Sequence, residues 1–332
     1  MCKFKKLGFV IIGRNEGERL TSGFKAIEKL CPQSSLVYVD SGSTDHSVEL
    51  AESYGFSVVE LDLSIPFTAA RARNAGFKYL TESNPQIEFV QFMDGDCELI
   101  QGWASAAVHA LSQSDNVAIV SGRRNEKFPN KSLYNTLIDI EWNTPVGETL
   151  AVLGDMCVKV NVFKEVNGFS EKIIAAEDDD ICIRIRAQGY KVYRLDQSMS
   201  YHDANILSLK QWLRRSKRGG HGFANINYLH SSGPEKYFRR ELRSVYLWGG
   251  IVPITFTITL FVNPYISFVI LAFYMMMMIK IIFFRIGESD SFRVAILYGA
   301  LIMIGKIPEF FGTIEFWKNH LLSKQHQLIE YK

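Results

Sequence analysis

The N-terminal part of the chain, up to Leu195, alternates between short apolar, β-branched runs and amphipathic stretches. Short apolar runs of this kind predict buried strands, and the amphipathic stretches between them predict helices. Such an alternation predicts an α/β fold, in which a mainly parallel sheet is covered by helices on both faces. Ligands of such sheets bind beyond the carboxyl ends of the strands. The predicted strands are Phe9–Ile12, Leu36–Val39, Ser57–Leu61, Phe89–Met93, Val117–Val120 and Val192–Leu195.

Beyond residue 206 the pattern changes to long apolar runs. Two of them, Leu247–Val262 and Tyr265–Phe284, are separated by Asn263-Pro264, which is a good helix break. The second run has 20 residues, and as a helix it measures about 30 Å, enough to cross the hydrocarbon core of a membrane. Neither run has a polar face, so the pattern favours a transmembrane hairpin over a buried soluble hairpin.

A third apolar stretch, Val294–Ile304, is too short to cross a membrane before charged residues and a proline interrupt it at Lys306, Pro308 and Glu309. Aromatic residues then alternate with polar ones up to Lys324. This pattern predicts an interfacial or re-entrant helix rather than a third full span.

The charge and cysteine content narrow the class of protein. The 332-residue chain has 37 Lys and Arg residues and 35 Asp and Glu residues, which gives a net charge of +2. A net charge this small does not indicate the class of binding partner. No basic stripe is interleaved with aromatic residues in the first two hundred residues, and we expect no nucleic-acid binding. The five cysteines are scattered without a Cys-x-x-Cys pair, which favours a reducing compartment over a disulfide framework or a zinc site.

An acidic turn, Asp94-Gly95-Asp96, follows the predicted strand Phe89–Met93. Two carboxylates at a strand end can hold a hard divalent cation, which in turn holds phosphate oxygens. Most isolated Asp-Gly-Asp triplets are plain turns, so the rest of the chain has to decide between the two. Polar residues also follow two other predicted strands, at Arg14-Asn15-Glu16 and at Asp40-Ser41-Gly42-Ser43.

Five segments, taken in order, resemble the motifs of family 2 glycosyltransferases of the GT-A fold. They are Val10–Glu16 (VIIGRNE), Val39–Asp45 (VDSGSTD), Ala70–Gly76 (ARARNAG), Met93–Asp96 (MDGD), and Ala176–Asp180 (AEDDD) followed by Arg184. The resemblance covers roughly residues 7–220, and the membrane tail resembles that of bacterial members that act on lipid-linked or surface polysaccharide. It implies inverting transfer of a sugar from a nucleotide-sugar donor, with Mg²⁺ or Mn²⁺ as cofactor.

The resemblance assigns the donor site to residues at the strand ends. Asp40 would bind the base or the ribose of the nucleotide; the alternative is a turn or helix-capping residue, a role for which Asp45 is better placed. Arg73 and Asn74 would face the diphosphate, since a guanidinium can bind phosphate bidentately; the alternative is a solvated helix face. Further substrate-binding residues on this basis are Arg14, Glu16 and Glu177.

The metal would be held at the acidic turn. By the resemblance, Asp96 is a metal ligand, and Asp94 binds either the ribose or the water shell of the metal. His202 is a third metal ligand or a diphosphate contact, with a structural histidine as the alternative. Arg214 and Arg215, in a basic segment that only loosely resembles the Gln-x-x-Arg-Trp signature of processive synthases, would close over the diphosphate or meet a lipid phosphate.

Asp178 matches the Asp of the family's Glu-Asp pair, the general base that deprotonates the acceptor hydroxyl. The four carboxylates Glu177–Asp180 repel one another, which can raise the pKa of one of them toward the working range. The alternative is an acidic first turn of a helix Asp178–Gln188, which favours the helix dipole. Gly154-Asp155-Met156 lies where relatives have a strand that lines the acceptor pocket, although relatives often have Asn at the middle position.

These interpretations divide the chain into four parts. Residues 1–206 form a GT-A catalytic domain, 207–245 a basic and partly helical juxtamembrane segment, 246–284 a two-helix transmembrane hairpin, and 285–332 an interfacial or re-entrant helix with the tail. The excess of Lys and Arg over residues 214–243 and the C-terminal lysines Lys318, Lys324 and Lys332 predict a multi-pass protein of the inner (plasma) membrane with a cytoplasmic catalytic domain.

The predicted function is that of an inverting, membrane-anchored glycosyltransferase. A UDP-sugar is the favoured donor, and a lipid-linked or cell-surface glycan is the expected acceptor. Two alternatives remain at this point, a polyprenyl-phosphate sugar synthase and a non-catalytic membrane scaffold that keeps only the nucleotide-binding fold. The presence of Asp94, Asp96 and Asp178 disfavours the scaffold.

Overall fold

The computed structural model describes residues 4–288, 290–324 and 329. The chain divides into two compact units. The sheet unit comprises Met1–Pro129 and Ile138–Ala204, and the helical unit comprises Asn130–Leu137 and Asn205–Lys332. The boundary at Ala204 lies beside the boundary predicted at residue 206, whereas the assignment of residues 130–137 to the helical unit was not anticipated from the sequence.

In the described residues of the sheet unit there are nine strands and, wholly or in part, seven helices. The strands are β1 Leu7–Gly13, β2 Ser35–Asp40, β3 Ser57–Glu60, β4 Phe89–Asp94, β5 Cys97–Leu99, β6 Val117–Glu126, β7 Gly147–Glu148, β8 Met156–Lys159 and β9 Lys191–His202. The helices are α1 Arg19–Leu30, α2 Ser47–Ser53, α3 Ala69–Ser83, α4 Trp103–Gln113, α5 Leu133–Glu141, α6 Val160–Glu165 and α7 Glu177–Ala187. All six predicted strands are present.

One sheet contains all the strands, in the order β3-β2-β1-β4-β8-β6-β9-β5, with β7 paired to β9. The strands β1 to β4 are mutually parallel, as predicted, and β6 is parallel to β9. The sheet is nevertheless mixed, because β8 runs antiparallel to β4 and β6, and β5 and β7 run antiparallel to β9. The prediction of a mainly parallel sheet missed these three short strands.

The sheet has a separate core on each face. On β1, Val10 and Ile12 belong to one buried cluster and Phe9 and Ile11 to the other. Successive side chains of a strand point to opposite faces, so this alternation requires cover on both sides. Side chains of α3, α6 and α7 contribute to the first cluster, and side chains of α1 and α4 contribute to the second. The predicted α/β class is therefore confirmed.

Beyond residue 205 the described part of the helical unit consists of helical elements of 6 to 30 residues. They are α8 Leu209–His230, α9 Arg239–Val245, a π-helical segment Tyr246–Ile251, α10 Val252–Val262, α11 Pro264–Gly287 and α12 Phe292–Leu321. The predicted break is present: Asn263 is extended, with φ −156°, and its side chain accepts a hydrogen bond of 3.1 Å from the backbone N–H of Tyr265 at the start of α11.

Among the described residues, three helical stretches are long and apolar enough to cross a membrane, by length and composition: Arg239–Val262, Pro264–Gly287 and Phe292–Leu321. The third predicted element is a single 30-residue helix that continues through Pro308. Its length allows a full span, so the interfacial or re-entrant assignment stays a prediction. Lys332, predicted to lie on the cytoplasmic side, falls outside the described residues.

Small residues bring the helices of this unit into close contact. A Cβ atom added at Gly220 of α8 would overlap the carbonyl group of Glu309 on α12, and one added at Gly312 of α12 would overlap the carbonyl group of Lys217 on α8. Small residues at such crossings allow backbones to approach closely, which is the usual basis of helix packing in membranes.

Candidate active site

The predicted site lies at the carboxyl edge of the first strands of the sheet. In the register of the sheet, Gly13 of β1 pairs with Asp40 of β2, and Ile12 of β1 pairs with Asp94 of β4. Asp40 and the turn from Asp94 to Asp96 therefore flank the end of β1. The sheet brings together the acidic residues that the sequence placed at separate strand ends.

A buried arginine joins the acidic turn to the start of α7. Arg73 is 3% exposed, and it donates hydrogen bonds of 2.9 Å to Asp94 and 2.7 Å to Glu177. Burial alone would lower the pKa of Arg73, but these two carboxylates outweigh burial and raise it. A Cβ at Gly154 would overlap the guanidinium group, so this position has no room for a side chain. Arg73, predicted to face a diphosphate, is held between two carboxylates of the protein.

The same charges determine the ionisation of Asp94. Burial raises the pKa of this carboxyl, but Arg73 and Arg124 lower it more, so its pKa lies below the ordinary value. The side chain of Asp94 remains 32% exposed. Asp94 is therefore an ionised carboxylate that a ligand can reach, as its predicted role requires.

Asp96 is engaged by an arginine that the sequence analysis did not identify. Arg19, the first residue of α1, donates a hydrogen bond of 3.0 Å to Asp96 and another of 2.9 Å to the carbonyl of Asp203. Arg19 also pairs with Glu16 at 2.8 Å. The only signal in the sequence was the position of Arg19 shortly after a predicted strand.

The other oxygen of Asp96 lies 3.0 Å from Nε2 of His202. The ligand atoms of Asp96, Cys97 and His202 all lie within 4.8 Å of one another. Within the described part of the chain, the buried Nδ1 of His202 has no hydrogen-bond partner. Burial raises the pKa of the Cys97 thiol well above its ordinary value, so Cys97 stays protonated and is a poor ligand. The carboxylate and the imidazole fit a divalent cation, and imidazole suits Mn²⁺ better than Mg²⁺.

Asp155 forms a buried ion pair rather than a pocket wall. It is fully buried, lies 2.9 Å from Arg124, and accepts hydrogen bonds of 3.2 Å from Cys97 and Ser200. The backbone N–H of Asp94 also points at its carboxylate, at 3.4 Å. Asp155 therefore supports the acidic turn through its contacts with Asp94 and Cys97. A small cavity that also contains Asp178 is lined by residues 151–153 rather than by Asp155.

Asp178 stands on the wall of that cavity, which has a volume of about 130 Å³. It belongs to the first turn of α7, which follows Ala176 in the left-handed conformation at φ +66°. Burial and the neighbouring charge of Glu177 raise the pKa of Asp178 to about 6. This value suits a general base near neutral pH. The other lining residues are Ser121, Gly122, Trp142, Thr144, Ala151, Val152, Leu153, Asp179 and Arg194.

Arg194 is a second functional candidate that the sequence analysis missed. It is 5% exposed and lines the cavity with Asp178. It donates one hydrogen bond of 2.8 Å to the carbonyl of Leu195, its Nε has no partner, and no carboxylate of the described chain pairs with it. Burial and the nearby Arg123 lower the pKa of Arg194. The charge of Asp196 offsets part of this effect, and the buried Nε without a partner marks Arg194 as a candidate ligand contact.

The remaining predicted donor residues have protein partners. Asp40 accepts hydrogen bonds of 2.8 Å and 2.7 Å from the backbone N–H groups of Gly42 and Ser43, which supports its alternative role in the turn. Asp45 accepts a hydrogen bond of 3.1 Å from the backbone N–H of Ser47, the first residue of α2, but the N-cap position itself is occupied by His46. Asn74 exchanges hydrogen bonds of 2.9 Å with the backbone of Phe169. The donor-binding roles of Asp40 and Asn74 stay predictions.

Three further predicted residues contact aromatic rings or belong to the helical unit. Arg14 lies over the ring of Phe67, with its guanidinium carbon 4.4 Å from the ring centre. Arg214 and Arg215 belong to α8 in the helical unit, where Arg215 lies 5.6 Å from the ring centre of Trp212. Their roles toward a diphosphate stay predictions.

A mixed α/β sheet with an Asp-Gly-Asp turn at the end of β4 and a carboxylate-rich start of α7 defines a GT-A-type transferase fold. The chain belongs to glycosyl transferase family 2. The family model described as "Glycosyl transferase family 2" matches residues 9–158, and "Glycosyl transferase family group 2" matches residues 90–285, more than half of the chain. The predicted family is confirmed.

Two curated proteins are similar in sequence. The O-antigen chain rhamnosyltransferase WbaN of Salmonella anatum is 26% identical over 211 residues, which are 59% of this chain and 65% of WbaN. The O-antigen chain rhamnosyltransferase RfbN of Salmonella typhimurium (strain LT2) is 25% identical over 192 residues, 54% of this chain and 60% of RfbN. The chain thus spans slightly less than two thirds of the length of these relatives.

Two solved structures share the fold at 15% identity. The mannosyltransferase PcManGT from Pyrobaculum calidifontis, in complex with GDP-Man and Mn²⁺, superposes with a TM-score of 0.62 over 92% of this chain and 87% of its own. Residues 1–349 of S. aureus TarS superpose with a TM-score of 0.51 over 69% of this chain and 66% of theirs. At this identity the similarity concerns the fold alone.

Proposed function

We propose that this chain is a membrane-anchored, inverting glycosyltransferase that moves a sugar from a nucleotide-sugar to a lipid-linked or cell-surface glycan. One observation carries the proposal. Arg73 bridges Asp94, at the end of β4, to Glu177, the neighbour of Asp178. A single buried guanidinium thus connects the donor-side carboxylates to the base that faces the small cavity, where an acceptor hydroxyl would enter.

The residues present would divide the chemistry between them. Asp178 would take the proton of the acceptor hydroxyl on the side of the sugar opposite the leaving diphosphate, as inversion requires. Asp96 and His202 would hold the divalent cation, which when bound stabilises the negative charge of the departing diphosphate. Arg19 and Arg73 would keep the carboxylates of the site oriented while substrates exchange. Arg194 would bind the acceptor inside the cavity.

The sugar and the nucleotide are the open part of the proposal. The names of the sequence relatives favour rhamnose as the sugar and an O-antigen-type chain as the acceptor. A UDP-sugar, a GDP-sugar and a dTDP-sugar all remain possible donors, with UDP as our first choice. The purified full chain should be warmed with each donor in the presence of Mn²⁺, and its unfolding temperature and the release of nucleoside diphosphate should be measured.

We expect one class of donor to raise the unfolding temperature and to be cleaved slowly in the absence of acceptor. If no donor stabilises the chain and none is cleaved, the chain is a non-catalytic scaffold and our proposal is wrong. Cleavage that depends on added polyprenyl phosphate, with no need for a glycan, would instead favour the polyprenyl-phosphate sugar synthase.

The proposed location is the inner membrane, with the sheet unit in the cytoplasm. Three apolar helices support a membrane location, and the basic residues 214–243 precede the first of them. In a variant without native cysteines, a cysteine at Asn263 should react with an impermeant thiol reagent in intact cells, and a cysteine at Lys324 should not. Reaction at Lys324 would mean that α12 crosses the membrane, against the predicted interfacial position.

A further inference from the structure

The helical unit contains a groove of about 970 Å³ formed by the first turns of α8 and the second half of α12. Its lining residues are of two kinds. Five are apolar, and five are Lys or Arg. The apolar set is Leu209, Leu213, Pro308, Phe311 and Ile314; the basic set is Lys210, Arg214, Lys217, Lys318 and Lys324; Glu315 and Asn319 complete the lining.

The basic residues leave the groove with unbalanced positive charge. The single acidic residue, Glu315, pairs with Lys217. Among the described residues, Lys210, Arg214, Lys318 and Lys324 form no ion pair. The groove therefore favours an anion, and a guanidinium such as that of Arg214 matches phosphate oxygens bidentately.

The apolar residues add a second requirement. Phe311 is 56% exposed and Ile314 is 44% exposed. Both lie on α12, which is apolar enough to cross a membrane. Apolar side chains gathered in a concave surface beside basic residues favour a ligand that has both an apolar chain and a negative charge. A free nucleotide would leave these residues uncovered, and an uncharged lipid would leave the basic residues without partners.

We propose that this groove binds the phosphate end of the lipid-linked acceptor. The hydrocarbon chain would cover the apolar residues of α12, and the phosphate or diphosphate that joins the chain to the glycan would meet the basic residues. This inference rests on the proposed function and specifies which part of the acceptor the helical unit recognises. It gives Arg214 the lipid-phosphate role that was one of its two sequence-based alternatives.

The test is photolabelling of the full chain in phosphatidylcholine vesicles with two benzophenone-bearing isoprenoid phosphates, one of long chain and one of two isoprene units. We expect labelled peptides from residues 209–217 and 308–319. The double variant Arg214→Gln, Lys318→Gln should lower labelling by both probes by about tenfold or more, since two charge-assisted hydrogen bonds are lost. Phe311→Ser should lower labelling by the long probe and leave the short probe unchanged.

A matched control is available at the start of α9. The double variant Arg239→Gln, Arg240→Gln removes the same charge from two exposed residues that do not line the groove. We expect it to label like the parent chain, which separates the groove from general attraction to anionic lipid. Arg214 and Lys318 are exposed too, so their variants should fold; stabilisation by a nucleotide-sugar checks the sheet unit in each sample.

Several outcomes would overturn the proposal. The first two are full labelling of the folded Arg214→Gln, Lys318→Gln variant and an equal loss of labelling in the Arg239→Gln, Arg240→Gln control. The other two are competition by phosphatidylglycerol as strong as that by polyprenyl phosphate, and full competition by inorganic phosphate. Labelling that rises as the chain is diluted in the vesicles would make a second copy of the chain the occupant. Photolabelling needs no sugar transfer, so its result is independent of the donor assay that tests the proposed function.

Discussion

The acidic site of the sheet unit and the groove of the helical unit differ in how their charges are paired. In the sheet unit the buried carboxylates have partners within the unit, such as Arg73 for Asp94 and Glu177. In the helical unit, four of the five basic residues of the groove form no ion pair among the described residues. Paired charges hold a site in shape before a substrate arrives, whereas several unpaired charges of one sign in a single groove favour a ligand of the opposite sign.

The two units also differ in what surrounds them. The core of the sheet unit is closed on both faces of the sheet. In the helical unit, large apolar side chains are open to the surroundings, with Phe261 86% exposed and Tyr265 85% exposed. Exposure on this scale suits contact with lipid rather than with water. We therefore propose that the sheet unit carries out the chemistry and that the helical unit positions the acceptor. Four experiments test this division of roles.

The largest effect is expected from Asp178→Asn. An amide cannot accept the proton of the acceptor hydroxyl, so sugar transfer should fall by about a thousandfold or more while donor affinity is kept. Transfer rate and donor affinity should be measured separately. Asp115→Asn, an exposed acidic position outside the site, is the control. If transfer stays within tenfold while donor affinity collapses, Asp178 binds the donor and the base lies elsewhere.

The next effect in size concerns Asp96. In Asp96→Ala, Arg19 keeps its contacts with Glu16 and Asp203, so we expect the variant to fold. It should lose the gain in nucleotide affinity that Mn²⁺ gives the parent chain, by about ten- to a hundredfold, because a protein ligand of the cation is removed. Titration of the nucleotide with Mn²⁺ and with EDTA provides the measurement. Parent turnover that is unchanged in excess EDTA would contradict a role for the metal.

Much of the fold and of the candidate site was predictable from the sequence, because the signals that mark strand ends and helix breaks are local. A strand that ends in Asp94-Gly95-Asp96 combines an apolar run with a polar turn, and both are visible within ten residues. The break at Asn263-Pro264 is local as well, since proline restricts the residue before it. These features determine where the elements begin and end.

Other features depend on contacts between distant parts of the chain. Arg73 meets Glu177 across 104 positions, and Arg19 meets the carbonyl of Asp203 across 184. Such pairs have no periodicity, so a motif identifies Arg73 as functional but cannot show that its partners are carboxylates of the protein. The short strand β8 has no alternation to reveal it, and Arg194 becomes conspicuous only when the structure shows that its buried Nε has no hydrogen-bond partner in the described part of the chain.

The third experiment follows the pKa of Asp178. Because the pKa is raised to about 6 and the base must be unprotonated, transfer should be constant above this pH and fall as the pH drops below it. Burial and the charge of Glu177 are the two main causes of the raised value. Glu177→Gln removes one of them, so the pKa of Asp178 should fall and the loss of activity should move to lower pH.

The informative quantity is the shift in the pH midpoint of the activity profile. The plateau rate is less informative, because Glu177→Gln also removes one partner of Arg73 and should lower this rate for that reason. The exposed Glu165→Gln is the control and should leave the pH profile unchanged. A profile that keeps its midpoint in Glu177→Gln would show that another group limits the reaction at low pH, and the assignment of Asp178 as base would lose its support.

The smallest expected effect tests the helical unit through two adjacent glycines of α8. Alanine favours a helix interior over glycine by about 0.5–1 kcal/mol. Gly219 has no atom near the position that a Cβ would take, so Gly219→Ala should stabilise the unit by about that amount. At Gly220 the Cβ would overlap the carbonyl of Glu309, so Gly220→Ala should destabilise the unit by about 1–3 kcal/mol.

Unfolding followed in detergent should show changes of opposite sign in the free energy of unfolding, with nucleotide binding by the sheet unit unchanged in both variants. If both variants were stabilised, α8 and α12 would not be in backbone contact, and the groove that they form would have to be reconsidered.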